Sequence, residues 1–156
     1  MRSHSAGFEV YGRDGKLLSE YWAGGMKTLH SFCSAGFPNC FHMDVTQNGL
    51  TANFPHMLDE QAQHITELIR HAKSQEARCS EATAEAEAEW VATIKQKAMN
   101  NREFLEACTP GYYNNEGMPA QGAGLAGELY GGGSVEFHDI IRKWRSEGQM
   151  KGLRFT

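Results

Sequence analysis

Apolar residues recur three and four positions apart in three stretches of the chain, the spacing that places side chains on one face of a helix. The clearest stretch predicts a helix over Phe54–Ser74. Asn53 is a suitable N-cap for this helix, and Pro55 is favourable in its first turn because the missing N–H has no helical partner there. We expect its apolar stripe to be buried, namely Phe54, Leu58, Ala62, Ile65, Ile69 and Ala72.

A second helix is predicted over Ser80–Met99, with acidic residues in its first half and Lys95 and Lys97 near its end, as the helix dipole favours. Two sets of residues are expected on opposite faces. The buried set comprises Trp90, Val91, Ile94 and Ala98, and the solvated set comprises Glu81, Glu85, Glu87 and Glu89.

The third helix is predicted over Ser134–Glu147, with Ser134 as its cap and Gly148 as its stop signal. A further short helix is predicted near Glu103–Ala107. We expect the apolar face of the third helix to be buried, and it comprises Phe137, Ile140, Ile141 and Trp144.

Strand signals are weaker than helix signals. Phe8–Tyr11 alternates, Cys40–Met43 is expected to form a short buried strand, and Asp14-Gly15 indicates a tight turn. Leu17–Ala23 is expected to be a single helical turn, and residues 28–38 a loop. Long helices with so few strands favour a helix-rich α/β fold that forms part of a larger sheet-containing domain.

Composition narrows the function classes. The 156 residues include 22% charged residues and carry a net charge of −4, which argues against nucleic-acid binding. No apolar run approaches the roughly 20 residues of a membrane helix, and Met1–Gly7 lacks the apolar core of a signal peptide. The four cysteines form no CxxC pair, which favours reduced thiols in a cytoplasmic protein.

Two motifs are expected to have no chemical role. Gly122–Gly127 matches G-x-G-x-x-G, but no apolar strand precedes it, so we expect an irregular loop that contacts no phosphate. His64 and His71 are about two helical turns apart, too far to share a metal ion. No nucleophile and base are arranged for catalysis, so no catalytic residue is assigned.

The loop Asp44–Asn53 precedes the N-terminus of the predicted Phe54–Ser74 helix. A helix N-terminus carries partial positive charge and unpaired N–H groups. The N1–C2=O edge of a flavin is a group that such a terminus would bind.

Several motifs occur in a fixed order between residues 8 and 154: Trp22-Ala-Gly-Gly-Met-Lys-Thr28, Ala35-Gly-Phe-Pro-Asn39 with Phe41, Gln47-Asn-Gly-Leu-Thr-Ala-Asn-Phe-Pro55, Leu58-Asp-Glu-Gln61 with Ile65, Cys108–Gly117, and Tyr130–Trp144. In this order they resemble the C-terminal part of class B flavoprotein monooxygenases, which include the Baeyer–Villiger enzymes. The sequence departs from the family at Asp44-Val45, where the family usually has Gly-Pro.

The resemblance implies that residues 1–156 are a single segment, the C-terminal part of a Rossmann-like FAD-binding domain. The family's N-terminal FAD glycine motif, its NADPH-binding module and its F-x-G-x-x-x-H fingerprint have no counterpart here. The intact enzyme would use FAD and NADPH to insert oxygen into a ketone or oxidise a heteroatom, whereas this chain alone would be inactive. The residues implied to lie nearest the flavin are Gln47, Asn48, Gly49, Leu50, Thr51 and Asn53.

Two kinds of partner follow from this interpretation. The missing N-terminal portion would complete the domain, or the apolar surface left open would cause self-association. A different function remains open: a freestanding helical interaction module without a cofactor, which binds a protein through exposed apolar helix faces. The DNA upstream of Met1 distinguishes the two, because an in-frame glycine-motif region would indicate the enzyme.

Overall fold

The elements of the fold are four helices and two short strands among residues 7–98, 107, 109–111 and 129–156, which the computed structural model describes. The strands pair antiparallel, with Ser80 opposite Phe155 and Ala82 opposite Leu153. This part of the chain is helix-rich α/β, as predicted. In chain order the elements are α1 (Leu18–Tyr21), α2 (Phe54–Ser74), β1 (Ser80–Ala82), α3 (Ala84–Lys97), α4 (Gly133–Ser146) and β2 (Leu153–Phe155).

Three predicted features fall largely or wholly outside the described residues. They are the short helix near Glu103–Ala107, the Cys108–Gly117 motif and the Gly122–Gly127 motif. The expectation that Gly122–Gly127 is a loop that contacts no phosphate therefore stays a prediction.

Helix α2 has the predicted bounds, and Asn53 caps it by accepting a hydrogen bond from the N–H of His56 at 3.2 Å. Its buried face differs from the predicted one. Phe54, Leu58 and Ile69 are 47%, 39% and 41% exposed, so the prediction is wrong for them, although Ile65 is buried. The buried residues of α2 are Met57, Glu60, Gln61, His64, Ile65 and Leu68.

Three polar residues, Glu60, Gln61 and His64, occupy that buried face, and two of them bond to groups far away in the sequence. Glu60 pairs with Arg142 and with Arg145, the latter at 3.3 Å, both from α4. Gln61 donates to the backbone oxygen of Asp44 at 2.7 Å. A hydrophobicity pattern assigns such residues to the surface, and the apolar stripe was therefore predicted on a neighbouring face.

The predicted helix over Ser80–Met99 starts later than expected. Residues 80–82 form β1, and the side chain of Thr83 caps α3 by accepting from the N–H of Ala86 at 3.2 Å. Trp90 and Ile94 are buried as predicted, whereas Ala98 is exposed. Of the four glutamates expected in solvent, Glu85 and Glu89 are exposed, but Glu81 and Glu87 are only 4% and 3% exposed.

Helix α4 is shifted by one residue from its predicted bounds. Gly132 occupies the N-cap position and no side chain caps the helix, so the prediction of Ser134 as the cap is wrong. Gly148 ends the helix as predicted, with a φ of +67° and its N–H donated to the backbone oxygen of Arg145 at 3.0 Å. Phe137 and Ile141 are buried.

The two early strand predictions are wrong. Within Cys40–Met43 only Phe41 makes a β-bridge, to Cys33, and Tyr11 makes another to Leu17. The turn at Asp14 is confirmed, since Asp14 and Gly15 have φ values of +55° and +73°. The described cysteines are free thiols, namely Cys33, Cys40 and Cys79.

The core is built around the irregular segment of residues 28–37, which we call the core loop. Its Leu29 and Phe32 pack against Leu68 of α2, Trp90 of α3 and Ile141 of α4. Irregular backbone is stable inside a protein only when its polar groups are paired. Backbone groups provide most of that pairing, and two buried carboxylates hold the N–H groups of Ala35 and Gly36.

Glu87 and Glu81 hold the core loop from α3 and β1. Glu87 accepts hydrogen bonds from the hydroxyl of Tyr21 and from the N–H of Ala35, the latter at 2.6 Å. Glu81 accepts from the N–H of Gly36 at 2.9 Å. The other carboxylate oxygen of Glu81 accepts from Arg13 at 2.8 Å and from Arg154 at 3.0 Å.

Candidate functional site

Residues 47–53, called the 47–53 loop below, lie between the core loop and the first turns of α2 and α4. Gln47 begins this loop with a φ of +53° and is 2% exposed. Its side-chain oxygen accepts from the N–H and the hydroxyl of Thr28 at 3.0 and 2.6 Å, and its amide nitrogen donates to the oxygen of Met26 at 2.8 Å. The Gln47 side chain is therefore an anchor inside the protein.

Asn48 is the least explained residue of the site. It is 1% exposed, and among the described residues neither the oxygen nor the nitrogen of its side-chain amide has a hydrogen-bond partner. Its backbone is held, because its N–H donates to Val45 at 3.1 Å and its oxygen accepts from the N–H of Tyr130 at 2.9 Å. A buried polar group without a partner costs about 1–3 kcal/mol, so an additional partner for this amide would be stabilising.

Gly49 lies where the loop passes the start of α4. A Cβ atom on this residue would lie 2.6 Å from the backbone oxygen of Gly133 and 2.6 Å from the Cα of Ser134. The close approach of two backbones thus explains why glycine occupies this position. Gly49 also forms a parallel β-bridge with Tyr130.

The second half of the loop reaches the surface. Leu50 is 55% exposed, Thr51 is half-buried and Asn53 is exposed at the N-terminus of α2. Thr51 accepts from the N–H of Asn53 at 3.1 Å. The chain segments that flank this half carry further exposed apolar side chains, namely Met43, Phe54, Leu58 and Val135.

The six sequence-predicted site residues therefore divide into two groups. The first three, Gln47 to Gly49, are buried and shape the loop. The later ones, Leu50, Thr51 and Asn53, present the helix start and one apolar side chain to the outside. The combination is a polar, partly positive helix terminus with apolar surroundings, which suits a flat ring that carries an electron-rich edge.

Tyr130 belongs to this site, although periodicity gave no sign of it. It is 1% exposed, it bonds to Asn48 through its backbone, and its ring stacks on Trp90 at 5.7 Å between centroids. Only its position in the family-like Tyr130–Trp144 motif could have drawn attention to it.

Two histidines, His30 in the core loop and His64 in α2, form a separate cluster of rings. The ring of His64 lies 4.2 Å from Phe32 and 5.1 Å from Trp144, and His30 lies 5.0 Å from Trp90, between centroids. Burial lowers the pKa of His30 to about 4 and lowers the pKa of His64 well below its usual value. These rings are neutral packing elements at neutral pH.

The described part of the chain offers neither a metal site nor a membrane-spanning helix. There, no group of three His, Cys, Asp or Glu side chains is placed to hold a metal ion. None of the described helices combines the length and apolar character that crossing a membrane requires.

The sequence is similar to pentalenolactone D synthase from Streptomyces exfoliatus, with 46% identity over 148 residues that cover 95% of this chain and 25% of that protein. It is 39% identical over 145 residues to a Baeyer–Villiger monooxygenase from Streptomyces coelicolor, over 92% of this chain and 23% of that enzyme. The resemblance to Baeyer–Villiger monooxygenases is confirmed. The chain spans about a quarter of the length of these relatives.

Further similar proteins support this resemblance. An FAD-binding monooxygenase from Penicillium brasilianum is 34% identical over 166 residues, covering 99% of this chain and 26% of that protein. Polycyclic ketone monooxygenase from Thermothelomyces thermophila superposes with a TM-score of 0.81 and 30% identity, covering 99% of this chain and 25% of that one. A steroid monooxygenase bound to NADP superposes with a TM-score of 0.76 and 25% identity, covering 94% of this chain and 26% of that one. No protein-family model matches the sequence.

Proposed function

We propose that this chain is the C-terminal segment of an FAD- and NADPH-dependent Baeyer–Villiger-type monooxygenase, and that its 47–53 loop closes the flavin side of a Rossmann-like FAD-binding domain. Residues 1–156 act as one segment of that domain. In the intact enzyme, FAD and NADPH would supply the chemistry that inserts oxygen from O₂ into a ketone or oxidises a heteroatom. The role of this chain is to bind and orient.

The observation that carries the proposal is the 47–53 loop itself. Its buried Asn48 amide has no partner in the part of the chain that the structure describes, and the exposed Leu50 and Asn53 and the half-buried Thr51 lie beside the start of a 21-residue helix. These residues fit the flavin, because an electron-rich ring edge is favourable at a helix N-terminus and the ring faces are apolar. Exposed apolar side chains around the loop fit a surface that the rest of the domain covers.

The residues have distinct roles in this proposal. Gln47 and Gly49 hold the loop in place from the inside, and Asn48 offers a buried amide without a described partner. Leu50, Thr51 and Asn53 contact the flavin or the substrate side of it. No residue of this chain is assigned a proton transfer or a covalent step.

The proposal is tested by complementation. The portion of pentalenolactone D synthase that this chain does not match, about three quarters of that protein, is co-expressed with this chain. We expect the pair to co-purify with bound flavin, seen in its visible absorption bands, and to oxidise NADPH when a cyclic ketone is added. The chain alone should purify colourless and leave NADPH unchanged, because one edge of a flavin site does not offset the about 4–15 kcal/mol entropic cost of association.

A matched pair of variants ties flavin retention to the loop. Leu50→Asp puts a negative charge where the flavin edge would lie, and should weaken flavin retention at least about tenfold. Ile69→Asp places the same charge at a similarly exposed position of α2, 41% against 55% exposed, and should retain flavin. Equal retention in both variants would refute the loop assignment, and a yellow chain that turns over NADPH unaided would refute the fragment interpretation.

The alternative of a freestanding interaction module has support in the exposed helix residues Ile69 and Val135, which are 41% and 76% exposed. Under that alternative the chain would bind a protein partner, and the complementing portion would neither co-purify with it nor gain flavin. The complementation experiment therefore separates the two functions.

A further inference from the structure

We infer that Tyr130 is a positioning residue for the 47–53 loop, and that Glu136 and Lys97 hold it in place. The positioning of the loop is a property of this chain. That the loop in turn positions a flavin rests on the proposed function.

The first step is the contact of Tyr130 with the loop. Its N–H donates to the backbone oxygen of Asn48 at 2.9 Å, and it forms a parallel bridge with Gly49. The ring is buried and stacks on Trp90 with an interplanar angle of 10°. Asn48 and Gly49 therefore take their position in part from where the backbone of Tyr130 is fixed.

The second step is the hydrogen bonding that holds the side chain of Tyr130. Its hydroxyl donates to a carboxylate oxygen of Glu136 at 2.7 Å, and Lys97 lies 2.9 Å from the same oxygen. Hydrogen bonds to an ionised acceptor are stronger than neutral ones. Glu136 is on α4 and Lys97 is the last residue of α3, so the phenol joins two helices to the loop.

The third step is the close packing of the loop and of Tyr130 against the start of α4. A Cβ atom on Gly132 would lie 2.5 Å from Glu136 Oε2 and 2.5 Å from a ring carbon of Tyr130. A Cβ atom on Gly49 would lie 2.6 Å from the backbone oxygen of Gly133. The loop backbone and the Tyr130 ring thus each approach the start of α4 more closely than side chains would permit, and we expect a displacement of Tyr130 to disturb the loop through its backbone bond to Asn48.

The positions of Asn48 and Gly49 therefore depend on Tyr130, and the position of Tyr130 depends on Glu136 and Lys97. Loss of the phenol–carboxylate bond frees the ring to move and loosens the loop, while β1, which pairs with β2, keeps its own pairing. The expected phenotype is local.

The test is amide hydrogen exchange in the whole chain, followed by NMR. Tyr130→Phe and Glu136→Gln should each accelerate exchange at residues 48–50 about tenfold, as expected for loss of one hydrogen bond to a charged acceptor, and the double variant should add little. Exchange in β1 should stay unchanged. Asp139→Asn is the control, because Asp139 is an exposed carboxylate on the same helix whose ion pair is to Arg142 at 3.5 Å.

Rescue distinguishes positioning from general support. Lys97→Met should loosen residues 48–50, whereas Lys97→Arg should retain their protection because it keeps the charge beside Glu136. Acceleration that spreads equally to β1, or unchanged exchange at residues 48–50 in Tyr130→Phe, would overturn the inference.

The complementation assay supplies a separate readout for the flavin. If Tyr130→Phe loosens the loop and also lowers flavin retention, both the positioning role and the proposed function are supported. If the loop loosens and flavin retention does not change, the positioning role stands and the flavin assignment of the loop is wrong.

Discussion

The core loop and the 47–53 loop are both irregular, both rich in polar groups, and differ in how those groups are satisfied. In the core loop the N–H groups of Ala35 and Gly36 are held by the buried carboxylates of Glu87 and Glu81. In the 47–53 loop the side-chain pairing is complete at Gln47, whereas the side-chain amide of Asn48 has no partner among the described residues. The difference separates a segment whose N–H groups are held by carboxylates of this chain from one that contains a buried amide without a described partner.

The largest expected effect on stability comes from comparing two leucines of helix α2, one packed against the core loop and one near the 47–53 loop. Leu68 is fully buried against the core loop, whereas Leu58 is 39% exposed near the 47–53 loop. Leu68→Ala should lower the free energy of unfolding by about 2–5 kcal/mol, the usual cost of a buried leucine truncation. Leu58→Ala should cost well under half as much.

Urea denaturation of both variants, with the wild type beside them, measures the two differences. Equal costs would show that Leu58 is covered in solution, for instance by a second copy of the chain. A concentration dependence of the unfolding midpoint would then identify self-association as the cause.

The second prediction concerns the histidines beside the core loop. Burial lowers the pKa of His30 to about 4, so the unfolded chain binds a proton more tightly than the folded one. The corresponding stability is complete above about pH 6.5 and is lost as the pH falls toward 4, by about 3 kcal/mol. His64, whose pKa is lowered in the same direction, adds to the loss.

His30→Asn provides the measurement, because asparagine tolerates the φ of +50° at this position and carries no charge. The unfolding free energy of this variant, measured by urea titration at several pH values, should decrease less between pH 6.5 and 4 than that of the wild type. His56→Asn, at an exposed position, is the control. An unchanged slope for His30→Asn would contradict the burial argument.

The smallest effect is expected where one hydrogen-bonding group is removed. Glu87→Ala leaves the N–H of Ala35 and the hydroxyl of Tyr21 without their acceptor, which should cost about 1–3 kcal/mol. Glu85→Ala, two residues earlier and exposed, should change stability by less than about 0.5 kcal/mol. Thermal unfolding followed by circular dichroism compares the pair, and a null result for Glu87→Ala would mean that the core loop does not depend on this carboxylate.

Helix α2 illustrates what the sequence could and could not predict. Local signals defined its ends, because the Asn53 cap and Pro55 act within one turn. Its buried face depended on Glu60, whose partners Arg142 and Arg145 are 82 and 85 residues away in the chain. No local pattern contains that information, so the apolar stripe was assigned to the wrong face.

Contacts between residues far apart in the sequence also explain why strand β1 and the detailed contacts of the candidate site were not predicted. Ser80–Ala82 is a polar tripeptide that becomes a strand because residues 153–155 pair with it. In the site, the sequence identified the loop and its helix start through the family-like motif. It did not predict the unpartnered amide of Asn48 or the contact with Tyr130, because both follow from how α4 packs against the loop.

The pairing of β1 with β2 also bears on the order of folding. Arg154 in β2 is 73 residues from its partner Glu81, and Gly36 reaches the same carboxylate across 45 residues. Contacts of such sequence separation form late and slow a folding reaction. On a ribosome, therefore, the helices can form as they emerge, whereas the buried carboxylate of Glu81, which can already pair with Arg13, lacks its second arginine until residue 154 has been synthesised. A kinetic intermediate with formed helices and an open core loop is the expected consequence.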